Sequence, residues 1–263
     1  MRFTRTRNLL LFALSLIAAE TVGILPAVAT AEPARPTIVL VHGAFADTTS
    51  WDGVAAELRA DGYRVVVPDN PLRGPANDAA AIERSLTAID GPIVLVGHSY
   101  GGAVITNVDD PDVRALVYVS AFAPQQGEPI ALALDPIRFP GSRLLPPALA
   151  FTVTGTGLDA YIESAYFHDV FAQDVDAATA AAMLAHQRSL AVIANIELSG
   201  PAAWTKTPSW FVVSGQDRVI PPSAQRAMAQ RIGAHTSELN ASHAALVSQP
   251  DAVAAVIEQA ADQ

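Results

Sequence analysis

Cysteine is absent from this 263-residue chain. Disulfides, thiolate metal ligands and a lipid-bearing cysteine are therefore excluded. Positive charge is scarce: Lys206 is the only lysine, and 16 basic residues face 26 acidic ones for a net charge of −10. An excess of that sign disfavours nucleic acid and anionic membrane surfaces as partners. Charge of either sign is thin, at 16% of residues against about 25% in typical domains, which leaves apolar residues for a large core without cross-links. The phosphate-cradling patterns G-x-x-x-x-G-K-[ST] and G-x-G-x-x-G are missing. His and Asp do not cluster at metal-ligand spacing, so no metal and no cofactor is expected.

The apolar run Leu9–Ala19 is short for a membrane span, which needs about 20 residues. Arg2, Arg5 and Arg7 precede it, and the small-x-small site Ala29-Thr30-Ala31 follows, just before Glu32-Pro33. This is the layout of a secretory signal peptide over residues 1–31. Cleavage is expected after Ala31, giving a secreted or periplasmic protein with no membrane attachment in its mature form. Arg5 and Arg7 are not adjacent, so a twin-arginine route is not indicated. From residue 32 onward the chain carries 13 basic and 25 acidic residues, a net charge of −12, and has the length of one domain.

Six short strand-like runs recur along residues 32–263, all but the last mainly apolar: Thr37–Val41, Arg64–Val67, Pro92–Val96, Ala115–Val119, Trp210–Val213 and Thr236–Leu239. Near-continuous apolar runs of this length suit strands covered on both faces, as in a parallel sheet. Helical patterns lie between most of them. Trp51–Ala60 stops at Asp61-Gly62, Ala76–Ile89 carries apolar residues at helical spacing, and Ser223–Ile232 and Asp251–Ala260 both begin after proline. The alternation predicts an α/β domain with a mostly parallel central sheet flanked by helices. Residues 124–201 break it. Prolines 129, 136, 140, 146 and 147 fragment the first half, and Asp159–Ala172 and Ala177–Ile196 read as helices. A structureless loop of that length is uncommon, so an inserted helical cap is expected there.

Gly97-His98-Ser99-Tyr100-Gly101 spells G-x-S-x-G between an apolar run and a segment of small residues, Gly102-Ala103-Val104. A strand that turns sharply into a helix lifts a serine oxygen above the sheet edge, and small residues let the turn close. At ~7% each of Gly and Ser, chance supplies the pattern in roughly one chain in ten of this length, so the serine needs a base and an acid to support it. The expected chain order is Ser, then acid, then His. Asp217 stands just past the strand Trp210–Val213, and His243 just past Thr236–Leu239. Both lie at the carboxyl edge, where Ser99 also falls. The other histidines fit less well: His98 neighbours the serine, His42 sits in the first strand-end loop, His168 and His186 lie in the cap, and His235 is at the wrong end of its strand. Two backbone N–H donors are needed for an oxyanion. Tyr100 follows the serine and Ala44 lies in the loop His42-Gly43-Ala44-Phe45, so these two amides are the expected oxyanion hole, with Phe45 as pocket wall. Tyr166, Phe167 and Phe171 are further expected substrate contacts, Phe167 and Phe171 sharing one helical face. The segment Asn70–Gly74 fits either a pocket wall or a plain turn.

Together, Val39–Ala44, Gly97–Gly102, Gly215–Pro221 and Ser242-His243 resemble the α/β-hydrolase superfamily, within it the small esterase and hydroxynitrile-lyase-like branch. The resemblance implies a Ser99–His243–Asp217 triad, a cap over the site and no cofactor. The chain is read as an exported serine hydrolase, a carboxylesterase, and its acidity and apolar cap suit small-to-medium, uncharged, apolar carboxylic esters. A lactonase, a cofactor-free perhydrolase, a C–C lyase or a binding protein on this fold are the alternatives. Members that dehalogenate or open epoxides carry Asp where Ser99 stands. A cyanohydrin lyase would be expected to place a lysine near the triad, and Lys206 lies elsewhere.

Overall fold

The computed structural model describes Met1 and residues 35–263. The expected signal peptide, Met1 aside, lies outside the described residues. Chain order from residue 35 begins with β1 (Thr37–Val41), α1 (Asp52–Ala60), β2 (Val65–Val66), α2 (Pro75–Leu86), β3 (Ile93–His98), α3 (Tyr100–Thr106) and β4 (Val113–Val119). A long insertion follows, with β5 (Leu149–Thr154), β6 (Gly157–Ile162), α4 (Ser164–Phe171), α5 (Ala177–Ala185) and β7 (Leu190–Ala191). The chain closes with β8 (Ser209–Ser214), α6 (Pro222–Arg231), β9 (His235–Leu239), α7 (Ala245–Ser248) and α8 (Pro250–Ala261).

The central sheet has six strands in the order β2-β1-β3-β4-β8-β9, all parallel. Successive side chains leave a strand on opposite faces, and both faces are covered here. Ile38 and Leu40 pack with Trp51, Leu58 and Ile257 on one side. Val39 and Val41 pack with Ile82, Leu86 and Val104 on the other. Burial on both faces is the reason that the inner strands β1, β3, β4 and β8 read as apolar runs; the edge strands β2 and β9 are partly exposed, and β9 is largely polar. Each of the six expected runs overlaps one strand of this sheet.

The insertion differs from the helical cap expected over 124–201. It holds a three-stranded antiparallel sheet, β5-β6-β7, beside α4 and α5. The expected helix Asp159–Ala172 is strand up to Ile162 and becomes helix only at Ser164. Thr154 pairs with Gly157 across the two-residue turn Gly155-Thr156, a tight hairpin whose glycine supplies the required backbone freedom; Gly157 has φ 132°. The expected helix Ala177–Ile196 ends at Ala185. Leu190–Ala191 is drawn into the small sheet, and the Ala191 amide donates to the Leu72 carbonyl at 3.0 Å. That pairing comes from outside the segment, so no local periodicity announces it.

Candidate active site

Ser99, Asp217 and His243 come from the carboxyl ends of β3, β8 and β9 and meet above one edge of the sheet. Ser99 sits between β3 and α3 at φ 54°, ψ −121°, in a region costly for a side chain bearing a Cβ. Three neighbouring glycines make that turn possible. A Cβ on Gly97 would lie 2.5 Å from the Gly101 carbonyl oxygen, one on Gly101 would lie 2.5 Å from the Val41 carbonyl oxygen, and one on Gly102 would strike the Phe122 carbonyl. Gly43 has the same role on the facing loop, where a Cβ would lie 2.8 Å from the Ser99 Cβ. The turn is held in place by the Ser99 amide donating to Val119 O at 3.1 Å.

A hydrogen-bonded chain joins the three side chains. Ser99 Oγ lies 2.8 Å from His243 Nε2, and His243 Nδ1 lies 2.7 Å from Asp217 Oδ2. Asp217 Oδ1 also accepts from the Val219 and Ile220 amides at 2.7 and 3.0 Å, and Oδ2 accepts from Gln225 Nε2 at 2.7 Å. The buried carboxylate thus has donors on every side. With Asp217 as acceptor, His243 carries its proton on Nδ1 and turns a bare Nε2 lone pair toward the serine. Such a chain can take a proton from a hydroxyl as it attacks a carbonyl.

Three positioning contacts around this chain were not expected from the sequence. Gln225, fully buried on α6, also accepts the Ser214 amide at 3.0 Å and so fixes the loop between β8 and Asp217. His98 Nε2 donates to the His243 carbonyl at 2.9 Å, with the two rings 4.8 Å apart. Burial first, and then the neighbouring His243, hold the His98 imidazole well below its ordinary pKa, so it stays a neutral donor. Asp174, from the insertion, accepts the Ser242 amide and the Ser248 hydroxyl, both at 2.8 Å, and steadies the loop that carries His243.

The oxyanion-hole expectation has a geometric counterpart. Among the described residues, neither the Ala44 nor the Tyr100 amide has an acceptor, and both residues line a cavity of about 210 Å³ that also contains Ser99. The loop carrying Ala44 is braced by its own histidine. His42 Nδ1 donates to Gly43 O at 2.9 Å, while Nε2 accepts the Asn70 amide at 3.0 Å. Burial lowers the His42 pKa, in keeping with that neutral tautomer. Within Asn70–Gly74, Asn70 thus braces the loop, and none of the five residues lines the Ser99 cavity.

Phe45 lines the Ser99 cavity, as expected. The other three aromatic contacts are corrected. Tyr166 is exposed, and Phe167 and Phe171 stack on each other at 5.1 Å within the core. None of the three lines that cavity. Phe171 instead sets its ring edge-on to His243 at 4.8 Å, because the face of α4 that bears these rings packs onto the domain. The cavity wall comes from apolar residues ahead of α4, among them Ile130, Leu134, Leu144 and Leu149. Lys206 pairs with Asp109 at the surface. Among the described residues, no group of three His, Asp or Glu is arranged to hold a metal ion.

A partly buried ion pair joins the insertion to the rest of the domain. Arg73 grips Asp159 of β6 with two hydrogen bonds of 2.9 Å, and Ser189 Oγ adds a third at 2.7 Å. Behind it, Asp78 accepts the Arg73 amide and the Tyr100 hydroxyl. The Arg73 hydrogen bonds hold the Asp159 carboxyl below its usual pKa, against the opposing effect of burial. A carboxylate lowered in the folded state adds stability above its unfolded pKa, near 3.9. That stability is lost as pH falls through the folded value. Asp159→Asn should cost about 1–2 kcal/mol at pH 7, since Arg73 loses its charge partner but keeps partial contact with solvent. Urea midpoints at pH 7 and pH 3 check this: the gap between wild type and variant should shrink at pH 3.

This parallel sheet with a serine on its central turn places the chain in a known family. The sequence model of the Alpha/beta hydrolase family matches residues 38–256, and the chain belongs to that family. A carbendazim hydrolyzing esterase from Nocardioides sp. (strain SG-4G) is 35% identical over 132 residues, covering 44% of this chain and 52% of the relative. For this relative and a probable hydrolase R7 from Phoma sp., the match spans about half of their length. A pyrethroid hydrolase from Sphingobium wenxiniae is 28% identical over 251 residues, 86% of this chain and 87% of the relative. In fold, the crystal structure of polyneuridine aldehyde esterase matches with a TM-score of 0.73 at 16% identity, over 86% of this chain and 99% of that one.

Proposed function

We propose that this protein is an exported serine carboxylesterase that cleaves small-to-medium, uncharged, apolar carboxylic esters. The observation that carries this reading is the continuous chain Ser99 Oγ–His243–Asp217, at 2.8 and 2.7 Å, opening into an apolar cavity. Ser99 Oγ attacks the ester carbonyl as His243 Nε2 takes its proton. The Ala44 and Tyr100 amides receive the oxyanion. His243 then gives the proton to the leaving alcohol, which departs and leaves an acyl-enzyme. Water, activated by the same histidine, releases the acid and restores Ser99. Asp217 holds the productive tautomer and balances the charge of the protonated ring. Relatives named esterase or hydrolase support ester cleavage. Lys206, engaged at the surface, does not favour the lyase alternative. Export rests on Arg2, Arg5, Arg7, Leu9–Ala19 and Ala29-Thr30-Ala31.

The test is an assay of purified residues 32–263 on p-nitrophenyl esters of graded chain length, beside Ser99→Ala. Ser99-dependent turnover is expected, and its absence on every ester would sink the reading. For export, N-terminal sequencing of the protein recovered outside the cytoplasm should begin at Glu32; an intact N-terminus in the cytoplasmic fraction would contradict it.

A further inference from the structure

The Ser99 cavity, about 210 Å³, is smaller than the roughly 300–1,000 Å³ of sites that enclose drug-sized ligands. An ester with more than a short chain must therefore project beyond it, and one wall of the cavity leads outward. Leu149, Phe151 and Ala160 line the cavity. In the β5–β6 register Leu149 pairs with Ile162, Phe151 with Ala160 and Val153 with Leu158. Residues directly opposite, and those two apart along a strand, share a face. The wall of the cavity and the pair Val153–Leu158 are thus one apolar sheet face, which passes from enclosed to open. Ala160 is buried, Phe151 is 48% exposed, Leu158 47% and Val153 84%.

That exposure is not a general property of the surface. With Met1 set aside, every large exposed apolar side chain among the described residues lies between Leu132 and Leu198. The only charge on the hairpin, Asp159, projects from the opposite face and is neutralised by Arg73. The track is therefore uncharged as well as apolar.

We propose that this face is a second subsite, in which the part of an apolar ester farthest from the scissile bond lies across Phe151, Val153 and Leu158. The proposal rests on the esterase reading and adds a substrate class to it: esters with an extended uncharged alkyl or aryl chain. A chain lying on an open face is desolvated on one side only. Each added methylene is then expected to raise kcat/KM about twofold, half of the transfer free energy of a fully buried group.

The test compares wild type with the double variant Val153→Thr/Leu158→Thr, which keeps strand-compatible residues at exposed positions. Kinetics on p-nitrophenyl butanoate and p-nitrophenyl octanoate are measured below micellar concentrations, with thermal midpoints as a check on folding. The expected result is an unchanged kcat/KM on butanoate and a drop of about fivefold on octanoate, at an unchanged midpoint. Equal effects on both esters, or none on either, overturn the subsite. So does a chain-length preference that responds to Met183→Ala and not to the hairpin variant. Met183 lines a neighbouring cavity of about 300 Å³ that shares Phe45 with the Ser99 cavity, and that result would send the chain there. A wild type that turns over neither ester fails the esterase reading, and the subsite with it, which separates the two failures.

Discussion

Ser99→Ala should lower kcat on p-nitrophenyl esters by about 10⁶-fold, a loss of about 8 kcal/mol of transition-state stabilisation. The size follows from what remains. Alanine leaves His243 and Asp217 in place, but no oxygen lies 2.8 Å from Nε2 to form the acyl-enzyme. Water held by the same histidine would have to attack directly, and the oxyanion amides alone support only a small residual rate. The fold should be unaffected in direction, because Ser99 has φ 54° and alanine carries the same Cβ. An unchanged thermal midpoint alongside lost turnover would separate chemistry from stability. The measurement is single-turnover kinetics on one ester with both proteins at matched concentration.

Asp217→Asn should lower kcat by about 10⁴-fold at neutral pH with the fold intact. The hydrogen bonds dictate the outcome. Val219 and Ile220 present N–H groups to Oδ1 at 2.7 and 3.0 Å, so an asparagine turns its carbonyl oxygen toward them. Its NH₂ then faces Gln225 Nε2 and His243 Nδ1, where Oδ2 had accepted from both. A donor opposite Nδ1 forces the imidazole proton to Nε2, and the ring loses the lone pair that Ser99 requires. The Gln225 amide group now meets another donor, which adds a stability cost of about 1–3 kcal/mol for an unpaired buried group. Steady-state kinetics with urea titration read the two effects separately.

How much the sequence reveals differs between the two parts of the domain. The inner strands of the central sheet are legible because they are sandwiched: Thr37–Val41 is apolar at every position except its first, and all five residues are buried. Ser99, Asp217 and His243 are legible for a related reason, since a parallel sheet brings all its carboxyl ends to one edge and chain order assigns them. The insertion is harder. In β6 the residues Leu158, Ala160 and Ile162 alternate with Gly157, Asp159 and Tyr161, a strand pattern, but the helix α4 follows at once and the two merge into one apolar stretch. Gly155-Thr156-Gly157, the turn between β5 and β6, was the signal that a hairpin and not a helix begins there. β7 is two residues long and exists because β6 and the Leu72 carbonyl hold it. The aromatics of α4 were legible as one face, yet periodicity says only that they pack together, not on what. Their partner is the back of His243. His98 had no local signature because its contact, the His243 carbonyl, lies far along the chain, and Gln225 because its partners Ser214, Asp217 and Ile220 sit in the preceding strand end and loop, where no periodicity marks them.

The most direct measurement of the central claim is covalent labelling by a serine-directed fluorophosphonate, followed by peptide mass spectrometry. Ser99 attacking with its proton drawn by His243 predicts one adduct per protein, on the peptide carrying Ser99. Its formation should slow sharply in His243→Ala and in Asp217→Asn. Absence of an adduct on the folded wild type, an adduct at another serine, or labelling of Ser99 at the same rate in His243→Ala would contradict it.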